Sequence, residues 1–258
     1  MRITLVGSGN VATHLGAALV NAGHRIAQVW SRDLQNAALL AYHLKAEPVD
    51  DLSEIRPETD LIVISVKDDA VETVASFIPI KNVLVVHTCG SVGLQTLKKY
   101  FDTCGVFYPL QTFSKTRELD FRSVPLCIES TDKNSTARLL DLGRSISNNV
   151  TYIDSAQRKT LHLAAVFACN FPNYLYAVAA ELLSKQQMDF GLIKPLILET
   201  ASKVQSFLPQ EVQTGPAKRR DGQTMAAHLE LLQQYPEWQQ LYTLLSQGII
   251  KMDEPPSA

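Results

Sequence analysis

From the N-terminus to residue 153, short apolar runs alternate with amphipathic stretches, a pattern that predicts a parallel sheet with helices on both faces. The runs Ile3–Val6, Arg25–Trp30, Leu61–Val66, Val83–His87, Gly105–Tyr108, Leu126–Glu129 and Val150–Ile153 are rich in Val and Ile, as strands buried on both faces are. From Asp154 onward the strand-like runs stop. Ala156–Leu183, Phe190–Phe207, Thr224–Gln234 and Glu237–Lys251 carry helical patterns, and Pro172 predicts a bend or restart in the first of them. The expected fold class is therefore α/β: a doubly wound, mostly parallel sheet over residues 1–153, then an all-α domain over 154–258.

Composition narrows the function classes without changing that picture. A hydrophobic fraction of 46% with 19% charged residues suits a globular protein with a sizeable core. The formal net charge of −2 gives no general attraction for nucleic acid or anionic lipid, so neither is an expected partner. Cys89, Cys104, Cys127 and Cys169 lie far apart without paired spacing, which argues against a metal site or a disulfide framework and fits a reducing cytoplasm. The opening apolar run is broken at Gly7, too early for an export signal, and no run approaches the roughly 20 apolar residues of a membrane helix.

The chemistry begins at Gly7-Ser8-Gly9-Asn10-Val11-Ala12, which follows the first strand directly and opens a helix through Leu15 and Leu19. In that context the motif predicts a dinucleotide site. Gly7 makes the tight turn, Gly9 lets a pyrophosphate approach the backbone, and Ala12 keeps helix and strand close. The helix N-terminus then supplies amide donors and partial positive charge.

The end of the second strand selects between cofactors, because a carboxylate there binds the ribose diol of NAD and repels a 2′-phosphate. Here the chain reads Trp30-Ser31-Arg32, a hydroxyl and a guanidinium that suit the phosphate of NADP(H); the competing reading is a surface pair between Arg32 and Asp33. Two further turns end strands and should rim the same cleft: Val66 and Asp68 in one, Thr88, Cys89 and Gly90 in the other. Cys89 is expected as a small residue beneath the nicotinamide, since hydride transfer needs no nucleophile. His87 is expected to be structural.

Together the glycine fingerprint, Val66-Lys67-Asp68, His87-Thr88-Cys89-Gly90, Tyr108-Pro109-Leu110-Gln111-Thr112-Phe113 and Gly215-Pro216 with Arg219 and Asp221 resemble a Rossmann-like family of NADP oxidoreductases. That family carries a C-terminal domain of unknown function 2520. It is related to pyrroline-5-carboxylate reductase, 6-phosphogluconate dehydrogenase and deazaflavin-dependent NADP oxidoreductase. The resemblance implies a helical, 6-phosphogluconate-dehydrogenase-like second domain that dimerises and a substrate held between the domains. The family pattern resembles Gly-Pro-x-x-Arg-Gly-Asp with a later His; here Arg219, Asp221 and His228 match, while Arg220 stands in place of the glycine.

Reduction of a C=O or C=N bond also needs a group that stabilises or protonates the heteroatom. Lys159 and Asn170 are eleven residues apart, about 1,100° of helical rotation and so about 20° from alignment, with His162 about 60° to the other side. These three polar residues should share one helix face. Lys218, Arg219 and Arg220 form the basic cluster of the Gly-Pro loop, either a clamp for an anionic substrate or a solvated loop; Asp221 either orients Arg219 or caps the next helix. The expected protein is an NADP(H)-dependent oxidoreductase acting on a small carbonyl or imine. The alternative is a non-catalytic NADP(H)-binding or redox-sensing protein, because a fold and a cofactor do not establish turnover.

Overall fold

The computed structural model describes residues Met1–Met252, with a boundary between two compact units at Asn170 and Phe171. Eight strands run in chain order: β1 (Arg2–Val6), β2 (Arg25–Trp30), β3 (Glu47–Val49), β4 (Leu61–Ile64), β5 (Leu84–His87), β6 (Cys104–Pro109), β7 (Leu126–Ser130) and β8 (Val150–Tyr152). Between and after them lie α1 (Asn10–Asn21), α2 (Leu34–Leu44), α3 (Val71–Phe77), α4 (Gln95–Lys98), α5 (Lys133–Ile146) and α6 (Ser155–Ala165).

The strands form one sheet in the order β3-β2-β1-β4-β5-β6-β7-β8. All neighbours are parallel except β6 and β7. The order reverses direction at β1, so the C-terminal ends of β1 and β4 open the crevice where doubly wound sheets hold ligands. Apolar side chains cover both faces of the sheet. Leu5, Val63, Val86 and Phe107 pack with Leu15 and Leu19 of α1 on one side; Val6, Ile64 and Val85 pack with Val71 and Leu97 on the other.

Strand β3 was not expected from sequence. It is a three-residue edge strand containing Pro48, which pairs with β2 on one side only, where a missing N–H is tolerated.

Helix α6 packs on this unit through a buried charge. Arg158 is 1% exposed, and its guanidinium pairs with Glu129 of β7 and donates to the carbonyl of Val92. Ser155 donates to the same carboxylate at 2.8–2.9 Å and accepts from the Leu94 amide at 3.0 Å. Asp154 begins the helix with a capping box, exchanging bonds with Gln157.

A π-helical turn, Val166–Asn170, follows α6 and ends the first unit. The second unit contains α7 (Phe171–Lys185), α8 (Lys194–Lys203), α9 (Gly222–Leu231) and α10 (Pro236–Lys251), with no strand among the described residues. The widened turn precedes Pro172, whose ring would otherwise crowd the carbonyl four residues back. By length and composition alone, the helical run Ser155–Lys185 of 31 residues is long and apolar enough to cross a membrane. The sequence expectation was that no segment approaches this; the buried Arg158 ties the start of the run to the sheet.

Within the second unit, Ala217 and Leu232 are the buried apolar residues among those described. Phe171, Tyr174, Leu196, Leu198, Phe207 and Leu244 are all exposed.

Candidate active site

Beyond the carboxyl ends of β1, β2, β4 and β5 lies a cleft of about 810 Å³. It contains all of the residues the sequence assigned to a cofactor: the 7–11 turn, Ser31 and Arg32, Val66 and Asp68, and Thr88, Cys89 and Gly90.

Its floor is the glycine turn. Gly7 has φ of 127°, and a Cβ there would collide with the Ser65 carbonyl, so no other residue fits between β1 and β4. At Gly9, the N-cap of α1, a Cβ would meet nothing within 4 Å, and no side chain caps the helix. The first-turn amides of α1 are thus left without a side-chain acceptor beside open space, the arrangement in which a helix N-terminus takes an anion. Buried Ala12 seats the helix against the sheet.

Ser8 donates to Ser31 at 3.0 Å, which joins the glycine turn to the end of β2. Asp33 does not pair with Arg32. Its carboxylate caps α2, accepting from the Gln35 amide at 2.8 Å and from Asn36 at 3.0 Å. Arg32 lines the cleft, is exposed, and has no ion-pair partner among the described residues. Lys67 lines the cleft as well, a second cation that the sequence reading had placed only as part of a turn.

The opposite wall joins the β5 turn to β6 and α6. Cys89 is buried, and burial followed by the nearby Asp68 charge pushes its thiol upward, so it stays protonated. It is not poised as a nucleophile. His87 is fully buried and lies outside the cleft lining; its Nδ1 accepts from the Cys89 amide at 3.2 Å, and burial with the Arg158 charge lowers it to about 3. The ring is a neutral support for the turn. Ser91 donates to Asp68 and ties the two turns together.

Tyr108 of β6 also lines the cleft, with its hydroxyl 3.0 Å from His162 Nδ1 of α6 and the rings edge-on at 72°. Burial, reinforced by Cys127 and Asp68, pushes the phenol up to about 12. Gly90 permits this contact: a Cβ there would lie 2.5 Å from His162 Nδ1 and 2.9 Å from Tyr108 Cζ. Beyond β6, Gln111 lines the cleft, and Phe113 accepts from Asn10 at 2.9 Å, holding the loop against the start of α1.

The remaining candidates are placed elsewhere. Lys159 and Asn170 are exposed and outside the cleft lining. The expected common face with His162 assumed an unbroken α-helix, whereas the π-turn at Val166–Asn170 changes the residue count per turn just before Asn170. In the second unit Asp221 caps α9, accepting from the Thr224 amide at 3.0 Å and hydroxyl at 2.7 Å. His228 Nδ1 lies 2.9 Å from the Tyr242 hydroxyl. Arg219 donates its backbone amide to Gly215, and its charge helps to lower the Asp221 carboxyl after the larger effect of the Thr224 bonds. Among the described residues no His, Cys, Asp and Glu group has metal-site geometry.

An uncapped glycine-turn helix at the switch point of a 3-2-1-4-5-6 sheet defines a Rossmann dinucleotide-binding protein. Family models refine this. "NADP oxidoreductase coenzyme F420-dependent" matches residues 2–89, and "Domain of unknown function (DUF2520)" matches residues 124–249. A crystal structure from Bacteroides fragilis, assigned as an NADP oxidoreductase, is 44% identical, with 97% of this chain and 98% of that chain covered at a TM-score of 0.92. The chain belongs to this family of NADP oxidoreductases with a DUF2520 domain, and its cofactor is NADP(H).

A Thermotoga maritima protein shares the fold at 22% identity, with 98% of each chain covered and a TM-score of 0.74. A reductive aminase from Aspergillus terreus, solved with NADPH and ethyl-5-oxohexanoate, shares it at 14% identity, with 97% of this chain and 92% of that chain covered and a TM-score of 0.72. No curated protein matches the chain.

Proposed function

We propose that the protein is a reductase that uses NADPH to reduce a small carbonyl or imine, with cofactor and reacting carbon held in the cleft above β1, β4 and β5. The observation that carries this reading is the juxtaposition, in one cleft, of the uncapped N-terminus of α1 with a hydrogen-bonded phenol–imidazole pair. The turn at Gly7–Val11 would hold the pyrophosphate, and Ser31 and Arg32 the 2′-phosphate. Val66, Asp68, Thr88, Cys89 and Gly90 would surround the nicotinamide half. When bound, NADPH supplies hydride. The chain's part is to orient the acceptor, exclude water and place His162 beside it. The solved reductive aminase, in complex with NADPH and a keto ester, supports a carbonyl or imine acceptor.

The fold needs a partner for its helical unit, and we infer a second copy of this chain. Helices that leave Phe171, Tyr174, Leu196 and Leu244 exposed lack the buried stripe on which helical stability depends. Two identical apolar surfaces can cover one another around a two-fold axis. A cytoplasmic location accords with the buried, free thiols of Cys89, Cys104 and Cys127.

The reductase reading is tested by following NADPH absorbance with a set of keto acids, keto esters and cyclic imines. Acceptor-dependent oxidation is the expected result. Tight NADPH binding without oxidation by any of them would favour a binding or redox-sensing protein.

A further inference from the structure

We propose that Tyr108 is the proton donor of the reduction and that His162 positions its hydroxyl and resupplies its proton. This rests on the reductase reading above and adds to it the group that completes the reaction at the heteroatom.

The assignment follows from what each group in that corner of the cleft has free. The Ser91 hydroxyl is committed to Asp68, and the Cys89 thiol, buried to 5% exposure, points its sulfur at the Val66 carbonyl 3.8 Å away. His87 lies beneath the turn, outside the lining. The Thr88 hydroxyl donates to Ser65 at 3.2 Å, whereas Tyr108 presents a hydroxyl from a cleft-lining residue, held by a 3.0 Å hydrogen bond to an imidazole that is itself half-buried. Burial keeps the phenol in its proton-carrying form.

The pair is also built for one position. Tyr108 comes from β6 and His162 from α6, 54 residues later, and α6 is anchored by the buried Arg158–Glu129 pair one turn before His162. Both rings rest on the backbone of Gly90, where a Cβ would displace them. A strand, a buried ion pair and a glycine thus fix the phenol oxygen beside the turn that follows β5.

The step balances simply. As hydride from NADPH reaches the carbon of C=O or C=N, the π-electron pair moves to the heteroatom. The Tyr108 O–H bond breaks, and its proton forms an O–H or N–H bond there. The imidazolium form of His162 gives its Nδ1 proton to the Tyr108 oxygen, and the neutral ring, which keeps its proton at Nε2, regains one at Nδ1 from solvent. One hydride and one proton enter the product, and the side chains return to their starting states.

The test uses the full chain with NADPH and four probes: pyruvate, 2-oxoglutarate, ethyl 5-oxohexanoate and 1-pyrroline-5-carboxylate. Wild type is compared with Tyr108→Phe, His162→Ala, His162→Gln and a control, Tyr42→Phe, which removes a hydroxyl from an exposed residue on α2. For the best probe, Tyr108→Phe should lower kcat by roughly 10²–10⁴-fold, the range of general acid catalysis, with the NADPH dissociation constant unchanged within twofold. His162→Gln, which can still hold the phenol, should retain more kcat than His162→Ala. In ¹⁵N-histidine spectra of the cofactor-free protein, Tyr108→Phe should move the His162 Nδ1 resonance and Tyr42→Phe should not.

If wild type turns over a probe and Tyr108→Phe does so within threefold, this assignment alone fails. A loss of NADPH binding in step with kcat, or an unmoved His162 resonance, would also overturn it by showing a structural role. If wild type reduces none of the four, the assignment falls together with the reductase reading.

Discussion

Arg220 shows most directly how one residue carries the geometry of a loop. Its φ is 55°, in the left-handed region that costs an L side chain roughly 1–2 kcal/mol, and it occupies the position where the family pattern has glycine. The sequence exposed the substitution but not the dihedral that makes it matter. Arg220→Gly removes the steric cost, adds backbone freedom to the unfolded chain and gives up the interaction that Arg220 makes, so the three partly cancel. The expected net change is under about 1 kcal/mol, read from the urea midpoint with unchanged slope. Gly7 was legible for the opposite reason: its turn, strand and helix are contiguous, so its requirement could be read locally. Tyr108 and His162 could not be paired, because only folding brings residues 54 apart to 3.0 Å. Tyr108 stood in the recognised Tyr-Pro-Leu-Gln-Thr-Phe segment, but nothing local showed that it faces the cleft.

Among the elements, seven of the eight strands are visible as apolar runs, six because they are largely buried within the sheet and β8, an edge strand with Thr151 and Tyr152 exposed, because of its β-branched and aromatic residues. β3 is not, since three residues including Glu47 and Pro48 carry no apolar period. The π-turn was invisible except through Pro172, and it shifts Asn170 off the face that His162 occupies; Lys159, three residues before His162 on the regular turns of α6, is exposed outside the cleft. The contact that fixes α6, Arg158 with Glu129, could not be deduced from two charges on distant segments. It leads to a prediction at this scale. Arg158→Met leaves the Glu129 carboxylate buried without its counter-charge, a change that costs about 3–5 kcal/mol, whereas Arg158→Met with Glu129→Gln should recover part of that loss. Urea unfolding of the two variants measures the difference. Equal stability of wild type and Arg158→Met would remove the pair from its anchoring role.

At the scale of the whole molecule, the first unit has a continuous core on both faces of its sheet, while the second exposes the apolar faces of its helices. Binary patterning identified those helices correctly but could not say what covers them. Sedimentation velocity should show a species of two 28.5 kDa chains at micromolar concentration, and a monomer with the same helical circular dichroism would contradict the second-copy reading.

If the cleft takes NADP(H) through its 2′-phosphate at Ser31 and Arg32, calorimetric titration of NADPH and NADH into wild type and Arg32→Ala shows it most directly. A charge-assisted hydrogen bond worth roughly 1.5–3 kcal/mol predicts that wild type prefers NADPH by at least tenfold and that Arg32→Ala loses most of that preference while binding NADH unchanged. Equal affinity of wild type for both cofactors, or full discrimination surviving in Arg32→Ala, would contradict it.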